Sequence, residues 1–256
     1  MPFDDWVAAL EKRHLADFRV AEITRALRAL SSAYVERRHR MARGGSLDSE
    51  GKRAAFALFY APLHFLAASR VIESLEGTTQ PPPTAILDLG CGTGAAGAAW
   101  AIAAGGSAAV TGIDRHPWAI EEARWTYRTL GLKGSARQGD AARLPRVQAG
   151  AAVIAAYVLN ELPADDRARA EERLFAAAAR GARVLILEPI ARGVTPWWDN
   201  TAERARQIGG RADEWRFPVD LPPLLRMLDK AAGLHHHELT VRSLWLPGLI
   251  SYGPSS

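Results

Sequence analysis

The residues best placed to do chemistry are Asp88-Leu89-Gly90-Cys91-Gly92-Thr93-Gly94, an acid followed by three glycines at alternate positions. Without side chains at Gly90, Gly92 and Gly94, the backbone can turn sharply and lie directly against a ligand. Gly92-Thr93-Gly94-Ala95-Ala96-Gly97 also fits the GxGxxG pattern of dinucleotide sites. Asp114 lies twenty residues beyond Gly94, where a ribose-binding acid is expected. The carboxylate of Asp88 argues against a pyrophosphate, which needs bare amide donors and is repelled by negative charge. It favours a ligand that carries positive charge and no phosphate; a purely structural turn is the remaining reading. Asp114 can accept both hydroxyls of a ribose, a bidentate contact that fixes a nucleoside. Farther on, Asn160 can orient a substrate amine, and Glu161 or His116 can accept a proton. Asn160 and Glu161, just ahead of Pro163, equally suit a helix cap, and Asp140 suits a plain turn.

These residues need a scaffold that brings strand ends together. Ile86 to Leu89 reads as a first buried strand, Ala108 to Ile113 as a second closed by Asp114, and Ala136 to Ala141 as a third with its turn. Ala151 to Leu159 is apolar throughout, as expected of a central parallel strand covered on both faces. Arg183 to Pro189 is a fifth strand and Glu238 to Trp245 a sixth. Between them, Pro117 to Leu130 reads as a helix with Glu121 and Glu122 in its first turns and Gly131 beyond its end. Pro163 starts another helix, which stops at Gly181. The alternation predicts an α/β fold, a Rossmann-like, doubly wound, mostly parallel seven-stranded sheet, with a right-handed course. Ligands in such sheets bind beyond the carboxyl ends of the strands, where all the residues above converge.

Residues 1–80 read as an N-terminal helical region and 81–256 as the sheet domain, joined by the stiff connector Pro81-Pro82-Pro83. Trp6, Leu10, Phe18, Ile23, Leu27 and Leu30 recur at helical intervals; Ser46-Leu47-Asp48 marks a break after Gly44-Gly45, and Lys52 to Leu75 forms a second helical stretch. The single cysteine, Cys91, excludes a disulfide and a cysteine-based metal site, and reads as a small residue tolerated in the glycine loop. Three adjacent imidazoles at His235-His236-His237 alternate faces on a strand and cannot all reach one ion, so no metal is expected. No uninterrupted apolar run reaches membrane-spanning length and no signal peptide is evident, so a cytoplasmic protein with no membrane partner is expected. The net charge is only +4, but the basic residues are 28 Arg against four Lys. Arginine forks suit phosphate and RNA, and Arg37-Arg38-His39-Arg40 with Arg43 forms a local basic cluster.

The D-x-G-x-G-x-G run, with its acid at a strand end, resembles the first motif of the class I S-adenosylmethionine-dependent methyltransferases. That resemblance implies S-adenosylmethionine as cofactor, bound by Asp88, Gly90, Cys91, Gly92, Gly94, Asp114, Arg115, Asp140, Ala141 and Tyr157. Asp140 would take the adenine amino group and the amide of Ala141 a ring nitrogen; Tyr157, Asn160 and Glu161 would be the catalytic residues, with Tyr157 bordering the methyl group. Leu30-Ser31-Ser32-Ala33-Tyr34, Ala54 to Pro62, Tyr157 to Leu162 and Leu187-Glu188-Pro189 are similar to a narrower family. It comprises the methyltransferase-like proteins associated with the small ribosomal subunit, known from mitochondria and bacteria. Its members commonly carry a cysteine cluster after the fifth strand, where this chain has Trp197-Trp198-Asp199 and Asp213 to Phe217 instead. The likeness implies methylation of RNA, ribosomal RNA first, with the small ribosomal subunit as partner. The alternatives are a small-molecule substrate, with Trp197, Trp198 and Trp215 at the site or buried against the accessory helices, and a non-catalytic, cofactor-binding ribosome assembly factor.

Overall fold

Seven strands form one sheet in the computed structural model: β1 (Ala85–Leu89), β2 (Ala109–Asp114), β3 (Gly134–Gln138), β4 (Ala152–Ala156), β5 (Arg183–Glu188), β6 (Arg211–Pro218) and β7 (Glu238–Leu246). They pair in the order β3-β2-β1-β4-β5-β7-β6, all parallel except β7, which runs antiparallel to β5 and β6. The chain leaves β1 toward β2 and β3, then returns to β4 on the other side of β1, so the two directions part between the carboxyl ends of β1 and β4. The structure describes residues 2–36, 47–75, 81–191, 193 and 195–248. The basic cluster at Arg37, Arg38, His39, Arg40 and Arg43 lies outside the described residues, as do Gly44, Gly45 and Ser46; Leu47 and Asp48, the rest of the expected break, are non-helical and precede the helix that starts at Glu50.

Two strand expectations need correction. Glu238–Leu246 is the seventh strand in chain order, because Arg211–Pro218 forms β6. Charges hide that strand, yet Trp215 and Phe217 alternate with them at period two, the mark of an edge strand with one wet face. Trp215 is therefore a sheet residue, stacked on Phe217 at 5.7 Å and donating its Nε1–H to Ser243 Oγ at 2.8 Å. The fourth strand also ends early, at Ala156, because Tyr157 takes φ = +58° and leaves the pleat.

Helices cover both faces. On one, α7 (Ala164–Ala179) packs over β5 and α8 (Trp198–Gln207) over β6 and β7, burying Leu174, Phe175, Trp197 and Trp198. On the other, α5 (Ala95–Ala103), α6 (Pro117–Thr129) and α9 (Pro223–Ala232) share a core with the N-terminal helices α1 (Pro2–His14) and α2 (Val20–Glu36). Trp6, Leu10, Ile23, Leu27 and Leu30 sit in that core as the helical spacing requires. Glu122 is not the dipole-compensating acid expected near the start of α6. It is 1% exposed and accepts from Arg13 Nε at 3.1 Å and bonds His14 Nε2 at 2.9 Å, fastening α1 to α6.

Glu50–Ser74 is one continuous helix made of α3 (Glu50–Ala55), a π-helical turn (Phe56–Tyr60) and α4 (Ala61–Ser74). The wide turn has a cause: Pro62 has no N–H and would clash with the carbonyl four residues back. At 25 residues this helix is long and apolar enough to cross a membrane, contrary to the expectation that no segment is. Its most apolar window is 67% buried within the fold, so here it serves as a core helix.

Candidate active site

After β1 the chain bends at Gly90, Gly92 and Gly94, with φ of +66°, +51° and +78°. A Cβ on Gly90 would lie 2.2 Å from Val158 Cγ2, because the segment leaving β4 crosses directly over the bend. A Cβ on Gly94 would lie 2.8 Å from Cε1 of Tyr127, a fully buried pillar beneath it. Motif reading missed Tyr127; its signal is Gly134 at the start of β3, where a Cβ would meet Tyr127 at 2.4 Å. Above Gly92 the space is open, the nearest atom being Phe56 Cε1 at 4.0 Å.

The amides of the bend are already engaged. Gly90 N and Cys91 N donate to Ile113 O at 2.8 and 3.0 Å, and Gly94 N to Cys91 O at 2.7 Å. Gly97 N donates to Asp88 Oδ2 and Gly92 N to Asp114 Oδ2, each at 2.9 Å. These are donors that a pyrophosphate would require. A carboxylate seated on the bend instead repels phosphate and suits hydroxyls and positive charge. Asp114 Oδ1 also accepts from His116 N at 2.8 Å, so two N–H groups fix a half-buried carboxylate that keeps lone pairs for a diol.

Asp88 is placed otherwise than expected. Its carboxyl is 1% exposed and faces Gly97 in the first turn of α5, so it supports the bend from below. Burial pushes it up to about 7, against the pull of the Gly97 hydrogen bond and with the charge of Asp114 adding to the rise. Cys91 is buried, and burial raises its thiol well above the ordinary value, which leaves it an inert packing group. Arg115 is exposed, its carbonyl accepting from Gln138 Nε2 at 3.2 Å. Asp140 is exposed at the end of β3, and its Oδ1 accepts from Ala142 N at 2.9 Å, opening the 3₁₀ turn that begins at Ala141.

Beyond β4, Tyr157 donates its N–H to Leu187 O at 2.7 Å and then turns left-handed, a strained conformation for a residue with a side chain. Its ring stacks on His64, with centroids 4.2 Å apart and planes 22° from parallel. Burial raises the Tyr157 hydroxyl and lowers His64 to about 4, so both are neutral near pH 7. Asn160 and Glu161 fall in a 3₁₀ turn, Leu159–Glu161, and neither caps α7, whose cap position is Pro163 with no side-chain bond. Glu188 Oε1 accepts from Leu159 N at 2.9 Å and Asn160 N at 3.2 Å. Glu188 is fully buried, and burial holds its carboxyl well above the usual range, against the pull of these two backbone hydrogen bonds. Glu188 Oε2 and Asn160 Oδ1 are each buried with no hydrogen-bond partner among the described residues. Glu161 is exposed at the rim. His116 does not have both nitrogens available as expected of a proton acceptor, because Nδ1 accepts from Trp118 N at 3.2 Å as the cap of α6.

Sequence reasoning also missed an aromatic wall beside the bend. Phe56, Tyr60 and His64 stand four residues apart on one face of the long helix. Phe56 meets His64 edge-on at 5.8 Å and Trp118 edge-on at 6.5 Å, so rings run from Trp118 through Phe56 and His64 to Tyr157. The spacing of 56, 60 and 64 was visible in the sequence; their approach to Gly92 was not.

Residues 86–181 match a family described as a methyltransferase domain. No curated protein matches the chain. Among solved structures, the plantazolicin methyltransferase BpumL, in complex with SAH, is 12% identical over 90% of this chain and 98% of that one, with a TM-score of 0.53. Magnesium protoporphyrin IX methyltransferase from Synechocystis PCC 6803, with bound SAM, is 16% identical over 87% and 96%, with a TM-score of 0.48. A TehB-like SAM-dependent methyltransferase from Corynebacterium glutamicum is 22% identical over 69% and 85%, with a TM-score of 0.43. The first of these shares the fold of this chain.

Proposed function

We propose that this chain is an S-adenosylmethionine-dependent methyltransferase, with a class I domain over residues 81–256 and an N-terminal helical region before it, and that it methylates a base in RNA, ribosomal RNA first, in the cytoplasm. The aromatic wall from Trp118 to Tyr157 carries this reading, because ring faces beside the bend accept a flat heteroaromatic group by stacking. Four Lys against 28 Arg, and the resemblance to ribosome-associated methyltransferases, support RNA over other sources of such a ring.

The residues present fit the cofactor. Asp114 offers its carboxylate to a ribose diol, the open surface at Gly92 admits close approach, and the neutral pair His64–Tyr157 bounds the site. Asp140 and the Ala141 amide are proposed for the adenine edge. S-adenosylmethionine brings a methyl group already attached to a good leaving group, its sulfonium. What remains for the protein is alignment and the exclusion of water. The long helix Glu50–Ser74 does the excluding, by laying Phe56, Tyr60 and His64 against the bend. His64 is too weak a base near neutral pH to remove a proton and serves as a stacking surface. Glu188 holds the Leu159–Glu161 turn, and through it the Asn160 side chain.

A small-molecule substrate is the second reading. It is favoured by the half-buried rings of Phe56, Tyr60 and His64, which the long helix lays together beside the site. Mass spectrometry of total RNA from cells lacking the protein separates the two. Loss of one methylated nucleoside, restored by wild-type protein, supports RNA; unchanged RNA supports the small molecule.

A further inference from the structure

One row of charge crosses the sheet face that α7 and α8 cover. Glu188 of β5, Arg242 of β7 and Glu214 of β6 are register partners on three neighbouring strands. Residues directly opposite one another in antiparallel strands project from the same face, so the three side chains stand in line at the carboxyl end of β5. Farther along β7 on this face, Leu244 and Leu246 are apolar and belong to the core. Arg242 is 2% exposed. Withdrawing a guanidinium from water is costly, and an apolar side chain of similar volume would fill the space without that cost. Packing therefore does not call for an arginine here; its donors do.

Those donors reach both ends of one connection. Nη2 donates to Ile190 O at 2.8 Å and Nη1 to Thr195 Oγ1 at 3.2 Å, so the guanidinium ties down the chain that leaves β5. Nη2 also donates to Glu214 Oε1 at 2.6 Å, and Cζ lies 5.0 Å from the centre of the Trp198 ring. Nε is buried with no partner among the described residues, so the fork serves the connection before its own saturation. Glu188 does the same for the preceding connection, accepting from the Leu159 and Asn160 amides. The two connections leave the sheet side by side, because Tyr157 N donates to Leu187 O. Asp114 and Asp140, given above to the cofactor, lie at the ends of β2 and β3. The ends of β4 and β5, on the other side of β1, are left for the group that receives the methyl. We propose that Arg242 is a positioning residue for methyl transfer, fixing Ile190 and Thr195 as one wall of the acceptor site beside Tyr157. This rests on the RNA reading above for its acceptor and adds what holds that acceptor's side of the site in place.

The test compares Arg242→Met, Arg242→Lys and Glu214→Gln with wild type, once melting and S-adenosylmethionine affinity have been measured for each. Transfer from labelled S-adenosylmethionine is followed into total RNA from cells lacking the protein, and in parallel into a small-molecule extract of the same cells. For Met, and for Lys, which lacks the fork to span both acceptors, kcat should fall roughly tenfold to a hundredfold with the affinity for S-adenosylmethionine unchanged. Glu214→Gln should match wild type, because the bonds to Ile190 and Thr195 remain. RNA labelled as fast by Arg242→Met as by wild type, whether or not melting falls, makes the arginine merely structural; that overturns the proposal and leaves the RNA reading standing. A loss of S-adenosylmethionine affinity in step with kcat also overturns it, by placing the effect on the cofactor side. Label in small molecules and not in RNA, with the same kcat loss in Arg242→Met, keeps the positioning role and sinks the RNA reading. Label in neither overturns the proposal, since no transfer remains for Arg242 to serve. Should Arg242→Met not fold, Thr195→Val decides, because it removes one of the two acceptors at similar size. A several-fold fall in kcat then supports the proposal and an unchanged kcat overturns it.

Discussion

Replacing Asp88 with Asn should make the protein's stability less dependent on pH. The Asp88 carboxyl is 1% exposed, and burial moves it from 3.8 to about 7. Each pH unit of such a shift is worth about 1.4 kcal/mol, so roughly three units amount to about 4 kcal/mol. The native state holds this proton more tightly than the unfolded chain does. As pH rises from about 4 to about 7, the unfolded chain releases its proton first, and stability falls through that window before levelling off. The amide introduced by Asp88→Asn would keep an oxygen for the Gly97 N–H and would not titrate. Urea unfolding of wild type and variant from pH 4 to pH 8 should therefore show wild type losing about 4 kcal/mol relative to Asp88→Asn, at constant m-value. Curves that stay parallel within about 1 kcal/mol would refute the reasoning. They would mean that the carboxyl is solvated or already compensated in the native state.

Three further outcomes are expected. Gly94→Ala places a methyl 2.8 Å from Tyr127 at φ = +78°, and should cost about 1–3 kcal/mol in urea unfolding; no loss would show the bend is not clamped by Tyr127. Glu188→Gln, isosteric with the protonated acid, should keep methyl transfer within about twofold and become progressively more stable than wild type as pH rises above about 4.5, because burial raises the native acid and the unfolded chain releases its proton first. Glu188→Leu should lose activity with the Leu159–Asn160 anchor, whereas an inactive Gln variant would show that the working form is ionised. Tyr157→Phe should retain methyl transfer across neutral pH, because the ring on His64 and not the hydroxyl is used, and Tyr157→Ala should not; a Phe variant as slow as Ala would make the phenol a participant.

The fold was legible because strand and helix punctuation is local. Glycines, Pro117 and the acid closing β2 mark their own positions, and the unbroken apolar run at β4 declares a central strand. β6 was not legible, because alternating charges on a wet edge resemble a loop until Trp215 and Phe217 are counted at period two. At the site, residue types marked the bend and Asp114 as candidates, but not which carboxylate is buried and which is half-buried beside the bend. Asp88 and Asp114 both end strands, and only the pleat and the Gly97 amide send one inward while the Gly92 amide holds the other on the bend. The aromatic wall was hidden for another reason. Phe56 and His64 share one helix, but Trp118 and Tyr157 come from elements far apart from it in sequence, and only the fold brings Phe56 within 4.0 Å of a Cβ on Gly92.

The central claim is that a glycine bend occupied by a carboxylate binds a cationic, phosphate-free nucleoside, and calorimetric titration tests it most directly. Wild type should bind S-adenosylmethionine and not NAD, and Asp114→Ala should weaken S-adenosylmethionine by about 1–3 kcal/mol, roughly tenfold to a hundredfold. Equal affinity for NAD, or an affinity for S-adenosylmethionine untouched by the loss of Asp114, would contradict it.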